Sequence, residues 1–387
     1  MHGEAAVVGV GESTYYVRGR SPDSEFQLCV TAIKNAVEDA GLDLEEIDGF
    51  VSYMDSRNDA VRLANALGIR NLRWAAQTFG GGGNNAAAAV QLADAAVCSG
   101  YAKNVVAFRA LAQGQFGRFG MSSAGFRGAP ANMAWSMIHG LMSPAQECAV
   151  HTNRFMHDHG ISQEALCEIS LACYANAQRN PRALRYGKPL TREKYHASRW
   201  IVEPFHLYDC CPENDGAAAV VVSSAERARD LAKPPVPILA AAQGMGPKMG
   251  IHMFQGRWLG SAFYQDAAAA LWDRAGVKPQ DMDVVQFYEN FTGPVLIALT
   301  EMGFCEPGEV DDFVADGALS GPDAKLPFNT SGGNIGEAYI HGFESINEAV
   351  RQVRGESTCQ VSKVDYSLMV AGPGYSPASV VLFGRND

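Results

Sequence analysis

Positive charge is scarce in this sequence. Its 31 lysines and arginines face 42 aspartates and glutamates, a formal net charge of −11. Nucleic acid and anionic membranes both reward a surplus of cations, so a general binder of either is excluded. Long apolar runs are missing too; none approaches the roughly 18 residues that a membrane-crossing helix needs. No Cys-x-x-Cys pair and no His-Glu-x-x-His occurs, and His157 and His159, two apart on a helix, face different directions. No metal is therefore expected. Gly9-Val10-Gly11 lacks the third glycine of a dinucleotide fingerprint. The opening MHGEAAVVGVGEST shows no basic segment leading into an apolar one, and the nine cysteines follow no regular spacing. Both features point to reduced thiols and a cytoplasmic setting. What remains is a chain of 387 residues, 47% hydrophobic and 19% charged, long enough for two to three domains around a sizeable core.

That chain contains an internal duplication. At a constant offset of 235, Ala32, Ala40, Gly41 and Asp48 fall on Ala267, Ala275, Gly276 and Asp283. Each copy reads as an Ala-rich amphipathic helix stopped by glycine, then an acidic turn, then a β-branched or aromatic strand. Each copy next has a glycine cluster opening a helix: Gly80-Gly81-Gly82-Gly83 in the first, Ser331-Gly332-Gly333 in the second. Strands follow near 104–108 and 367–370. Alternating strands and helices of this kind give parallel or mixed sheets covered by helices. Between the copies, residues 179–199 hold seven basic side chains against the single acid Glu193, read either as a solvated loop or as a phosphate-holding patch. Asp215-Gly216 then leads into a buried Ala/Val strand, and Lys233-Pro-Pro-Val-Pro237 reads as the linker.

Two halves with glycine-led helices, the DGAAAVVV strand, the Gly-Gly loop near 332 and the C-terminal Ala-Gly-Pro-Gly turn together resemble the thiolase superfamily over essentially the whole chain. The resemblance is closest to the sterol-carrier-protein thiolases and the lipid-transfer-protein aldolases of bacterial steroid side-chain breakdown. It implies a five-layer α/β/α/β/α sandwich of two duplicated halves with an inserted loop domain. Residues 1–115, completed by about 205–232, would form the first half, 116–204 the loop domain and 233–387 the second half. It also implies an acyl-CoA substrate, with coenzyme A entering only as part of that substrate and no separate cofactor. A homodimer is implied through the first halves, and a small OB-fold partner with a zinc-ribbon segment would complete a heterotetramer.

The departures from the family pattern define the chemistry. Where thiolases carry a nucleophilic cysteine at the start of the central helix, this chain has Gly82-Gly83-Asn84-Asn85, and the second thiolase cysteine gives way to Ala371-Gly372-Pro373-Gly374. Cys98 stands at the far end of that helix and reads as structural. The motif after the middle strand has become Tyr288-Glu289-Asn290-Phe291, and the family's Gly-His-Pro has become Ala338-Tyr339-Ile340, with His341 next. Without a thiolate no acyl-enzyme forms by the usual route, whereas stabilisation of a thioester enolate remains open. This suits retro-aldol cleavage of a β-hydroxyacyl-CoA. Tyr288 is assigned as base on the β-hydroxyl and Tyr339 as donor to the enolate, with the two roles exchangeable; His341 is the neighbouring cation candidate. Gly81, Gly82, Gly372 and Gly374 are expected as oxyanion donors and Asn290 as a substrate contact. By resemblance the acyl part is a 17-hydroxy steroid of C22 type, giving a 17-ketosteroid and propionyl-CoA. The alternatives are a non-catalytic acyl-CoA-binding scaffold, or Claisen chemistry through another cysteine.

Overall fold

The duplication is present in three dimensions at the same offset. In the computed structural model, which describes residues 4–53, 57–79, 82–116, 134–246, 263–372 and 377–385, helix Glu25–Ala40 and helix Gln265–Ala275 end at corresponding residues. Gly41 and Gly276 terminate them in the left-handed region, at φ 70° and 68°, where an L side chain is strained. A one-turn 3₁₀ segment follows in each copy, Leu44–Glu46 and Pro279–Asp281, and then a strand, Gly49–Ser52 and Val284–Phe287. Asp48 and Asp283 do the same work in the two halves. Asp48 Oδ1 accepts from the amides of Lys103 and Asn104 at 2.8 and 3.0 Å, and Asp283 Oδ2 from those of Asp365 and Tyr366 at 2.8 and 2.9 Å.

The strands are β1 (Ala5–Glu12), β2 (Tyr16–Val17), β3 (Gly49–Ser52), β4 (Trp74–Gln77), β5 (Asn104–Ala112) and β6 (Trp200–Val202). They continue as β7 (Phe205–His206), β8 (Asn214–Ser224), β9 (Val236–Gly244), β10 (Val284–Phe287), β11 (Tyr366–Ala371) and β12 (Ala378–Gly384). Among the described residues, the first half orders its strands β4-β3-β5-β8-β1 and the second β10-β11-β12-β9, joined where β1 meets β9. β3 runs parallel to β5 with Gly49 beside Val105, and β10 runs parallel to β11 with Val284 beside Ser367. Strands such as β8 (NDGAAAVVVSS), buried along nearly their whole length, require helices on both faces.

Those helices make five layers. Helix Glu25–Ala40 covers the outer face of β1, β5 and β8, and helix Gln265–Ala275 covers that of β9 and β12. Between the two sets of strands lie helices Asn85–Cys98 and Phe343–Arg354, each touching strands of both halves. The inner core joins Val90, Ala93 and Val220 of the first half to Ile346, Val350 and Val381 of the second. Helix Gln163–Ala177, from the segment between the copies, packs on helices Gly293–Glu301 and Gly333–Gly336 of the second half. Both central helices begin at the same end of the layer. The candidate site lies there.

Candidate active site

Tyr288 follows β10 directly, and its amide donates to Val370 O at 3.0 Å, continuing the parallel ladder one residue past the strand. Tyr339 lies in an irregular stretch where the sequence suggested one continuous helix. Helix Gly333–Gly336 stops after a single turn, the chain crosses residues 337–342, and a second helix starts at Phe343. His341 and Gly342 adopt φ +53° and +88°, which no helix tolerates, so the run is broken there. The Tyr339 amide donates to Asn214 Oδ1 at 2.6 Å, fixing this stretch to the start of β8.

The two phenols meet. The Tyr288 hydroxyl donates to the Tyr339 hydroxyl at 2.9 Å, with ring centroids 6.1 Å apart. Both rings are buried, and burial is the chief reason that both phenols are held well above the usual tyrosine pKa. Each also faces the other, and the nearby Cys211 thiol raises both further. Arg109, from β5, pulls Tyr339 back down in a lesser degree.

Gly83 closes one side of the pair. A Cβ at that position would lie 2.1 Å from Cε2 and Cζ of Tyr288, so the ring fills the space that a side chain at the start of helix Asn85–Cys98 would need. A Cβ on Gly342 would likewise come within 3.2 Å of Tyr288 Cδ2 and of Ala86. The starts of both central helices therefore abut the Tyr288 ring, and their dipoles place partial positive charge at this end of the layer.

The remaining sequence candidates divide. His341 is buried, edge-on to Tyr339 at 5.0 Å between centroids and stacked on Tyr53 at 5.8 Å. The cation that acts on Tyr339 is Arg109, whose place inside a buried strand gave no signal in the sequence. Asn290 is buried, its carbonyl accepting from the Cys211 amide at 2.9 Å while its Oδ1 has no partner among the described residues. The Gly82 carbonyl is taken by Asn85. Gly372 sits against Phe263 and Tyr264 at the end of β11 rather than against the tyrosine pair. Gly81 and Gly374 lie outside the described residues. Glu289 points away from the phenols to the amide of Ile335 and the Cys173 thiol, and burial pushes its carboxyl up to about 8.

Tyr53 also belongs to the site. Its hydroxyl donates to the His341 carbonyl at 2.6 Å, its ring is fully buried, and the Arg109 guanidinium lies 5.0 Å from its centroid. The repeat offset would have found it, because Tyr53 follows β3 as Tyr288 follows β10, 235 residues on. In the basic stretch, Arg182 pairs with Glu12 and Glu337, and Arg192 pairs with Glu164 and Glu168, so at least these two are engaged within the protein. Glu164, Cys167 and His196 bring possible ligand atoms within 4.8 Å of one another, with the Arg192 cation already on Glu164.

Residues 251–385 match the family described as thiolase C-terminal domain-like. The whole chain is 39% identical over 391 residues to the 17-hydroxy-3-oxo-4-pregnene-20-carboxyl-CoA lyase of Mycobacterium tuberculosis, covering 99% of this chain and 100% of that one. The chain belongs to the thiolase superfamily, among its steroid side-chain-cleaving aldolases. The "steroid side-chain-cleaving aldolase" of Thermomonospora curvata is 39% identical over 389 residues, with 99% and 98% coverage. The solved "Ltp2-ChsH2(DUF35) aldolase" superposes with a TM-score of 0.91 at 38% identity, covering 99% of this chain and 98% of that one. This aldolase is thus a carbon–carbon lyase on a thiolase-like α/β scaffold. Among its described residues, no helix is long and apolar enough to cross a membrane.

Proposed function

We propose that the enzyme cleaves a β-hydroxyacyl-CoA by a retro-aldol reaction routed through Tyr288 and Tyr339, without a nucleophilic cysteine. The substrate assigned is a 17-hydroxy steroid CoA thioester of C22 type, and the products are a 17-ketosteroid and propionyl-CoA. The 2.9 Å hydrogen bond between the two phenols carries this reading. The substrate's β-hydroxyl gives its proton to the Tyr288 oxygen while Tyr288 passes its own proton to Tyr339. The electron pair of the Cα–Cβ bond moves into the thioester, forming the enolate as the Cβ–O bond becomes a ketone. In the same concerted step Tyr339, as it accepts the Tyr288 proton, delivers its own hydroxyl proton to Cα, so neither phenol carries two protons at any point. The proton lost from the hydroxyl is regained at carbon, so neither phenol needs to ionise in the resting enzyme, in keeping with their raised pKa values. Reversing the tyrosine–tyrosine hydrogen bond would exchange the roles.

The positive ends of the two central helices favour the negative charge that develops on the thioester oxygen. Asn290 and the backbone amides at Gly81 and Gly82 are assigned to that oxygen, and the turn at Gly372 and Gly374 to the acyl-CoA beyond it. Three observations support chemistry without a cysteine nucleophile. The loop where the resemblance calls for cysteine has none, the Tyr288 ring fills the space a side chain on its Gly83 would need, and burial holds the neighbouring Cys211 thiol well above its usual pKa. The step is redox-neutral, and we assign it no cofactor beyond the coenzyme A of the substrate. We further assign a cytoplasmic homodimer joined to an OB-fold, zinc-ribbon partner as a heterotetramer.

Tyr288→Phe and Tyr339→Phe, assayed singly for release of ketone and propionyl-CoA, test the mechanism. Loss of turnover in both is expected. Full turnover in both would end it, whereas thermal stabilisation of the parent by acyl-CoA with no bond cleavage would favour a non-catalytic acyl-CoA-binding scaffold.

A further inference from the structure

The residues after the two tyrosines, Glu289 and Ile340, are tied together by a bridge of two buried side chains. Asn334, in the short helix Gly333–Gly336, accepts the Glu289 amide on Oδ1 at 3.1 Å. Its Nδ2 donates to Glu344 Oε1, and Glu344 Oε2 accepts the Ile340 amide at 3.1 Å. Both side chains are essentially excluded from solvent. The bridge thus runs from one backbone amide to another, each one residue beyond a phenol. Residues 337–342, with left-handed backbone at 341 and 342, lie between two helices and cannot fix Tyr339 by regular helical bonding.

We propose that Asn334 and Glu344 form a positioning clamp that sets the separation of the Tyr288 and Tyr339 hydroxyls for proton transfer. The proposal rests on the tyrosine relay described above. Neither clamp residue touches substrate. Their part is to hold two segments, 51 residues apart in the chain, at the spacing the relay needs. Misplacing reacting groups by about 1 Å costs on the order of 100-fold in rate.

The chemistry of the bridge allows a test by reversal. Asn334→Asp keeps an acceptor for the Glu289 amide but sets a second carboxylate against Glu344. Glu344→Gln keeps one acceptor oxygen where two donors need one each. The double variant N334D/E344Q rebuilds the chain with its inner hydrogen bond inverted: the aspartate accepts from residue 289 and from the Gln Nε2, and the Gln oxygen accepts from residue 340. In the full chain, assembled as it purifies, each single variant should lower kcat by about 100-fold with KM within about threefold. The double variant should recover to within about tenfold of the parent.

A general loss of folding would lower the fraction of active protein and the melting temperature together, so thermal unfolding and active-site titration accompany the kinetics. If N334D does not fold, the double variant is compared with E344Q alone, where the same recovery is expected. The parent's Glu289 and Ile340 amides should also be strongly protected from hydrogen exchange. Simple additivity of the two changes, full kcat in both singles, or rapid exchange at both amides would overturn the clamp. Additive clamp variants alongside inactive Tyr288→Phe and Tyr339→Phe enzymes would sink the clamp alone. Active Tyr→Phe variants would sink the relay and the clamp with it.

Discussion

The ring of Tyr288 stands where a side chain on Gly83 would have to be, 2.1 Å from the position of its Cβ. The helix start beside a thioester site is the natural place for a nucleophile, because the dipole lowers a thiol's pKa there. Here the place is filled by a phenol from the other half of the molecule. Substituting Gly83 should therefore damage the lyase without creating a thiolase. Gly83→Ala should lower turnover by about 100-fold and destabilise the fold by about 1–3 kcal/mol through overpacking, read from ketone release and from chemical unfolding. A Gly83→Ala enzyme of full activity would show that the ring shifts at no cost.

Removing either hydroxyl would interrupt the proposed relay. Tyr288→Phe and Tyr339→Phe should each lower kcat by about 10²–10⁴-fold, the usual range for loss of a general acid or base. The double variant should be little worse than either single one, since one break already stops the transfer. A double variant whose losses multiply would mean that the phenols act separately.

The pH dependence follows from the direction of the pKa shifts. Burial raises both phenols, so the phenolate fraction at any pH below 10 is smaller than for a free tyrosine. A mechanism needing a resting phenolate would gain about tenfold in rate per pH unit up to that pKa. The concerted relay predicts a kcat free of such a rise between about pH 7 and 9.5, measured where the enzyme remains folded.

Stability should fall as the solution becomes more alkaline. Burial raises Glu289 to about 8 and Glu337 to about 7, while the ordinary value for a glutamate is about 4.5. Below about 4.5 both groups are protonated in the folded and unfolded chain alike, and their contribution is fully present. Between that pH and the folded values the unfolded chain releases protons that the folded protein retains, so stability declines as pH rises through 7 and 8. The melting temperature should drop from pH 6 to pH 8.5, and Glu289→Gln should flatten the slope. An unchanged slope would mean that Glu289 ionises without penalty.

Asp48 and Asp283 should be equally costly to remove. Each accepts from two consecutive amides at the start of the neighbouring strand, the residue before it and its first residue, so Asp48→Ala or Asp283→Ala leaves two such groups without their acceptor. A loss of about 2–4 kcal/mol is expected for each by chemical unfolding. Strongly unequal losses would show that the two halves have diverged in how they hold their strands.

The repeat was legible because its signals are local. Gly41 and Gly276 stop helices by their own backbone geometry, and Asp48 and Asp283 keep a fixed spacing from them. Tyr288 was singled out by its place in the Tyr288-Glu289-Asn290-Phe291 motif of the resemblance, one residue past a strand whose composition is plain. The break at 337–342 was not. The run from Gly333 to Gly355 is rich in helix-compatible residues, and the left-handed turn at 341–342 sits against Ala86, Tyr288 and Met369, a long-range packing that no local pattern records. Arg109 was hidden for a similar reason: a lone cation in a strand carries no spacing signal, and its closeness to Tyr53 comes from the sheet register. The Asn334–Glu344 bridge needs the helix break before its two side chains can meet.

Tyr53 and Tyr288 occupy equivalent positions in the two copies, each immediately after a corresponding strand. One is spent on anchoring the His341 carbonyl; its sibling is bonded to Tyr339. The pseudo-symmetry thus takes the form of a division of labour, in which the first copy's phenol holds a backbone carbonyl and the second copy's phenol is left for the proposed relay.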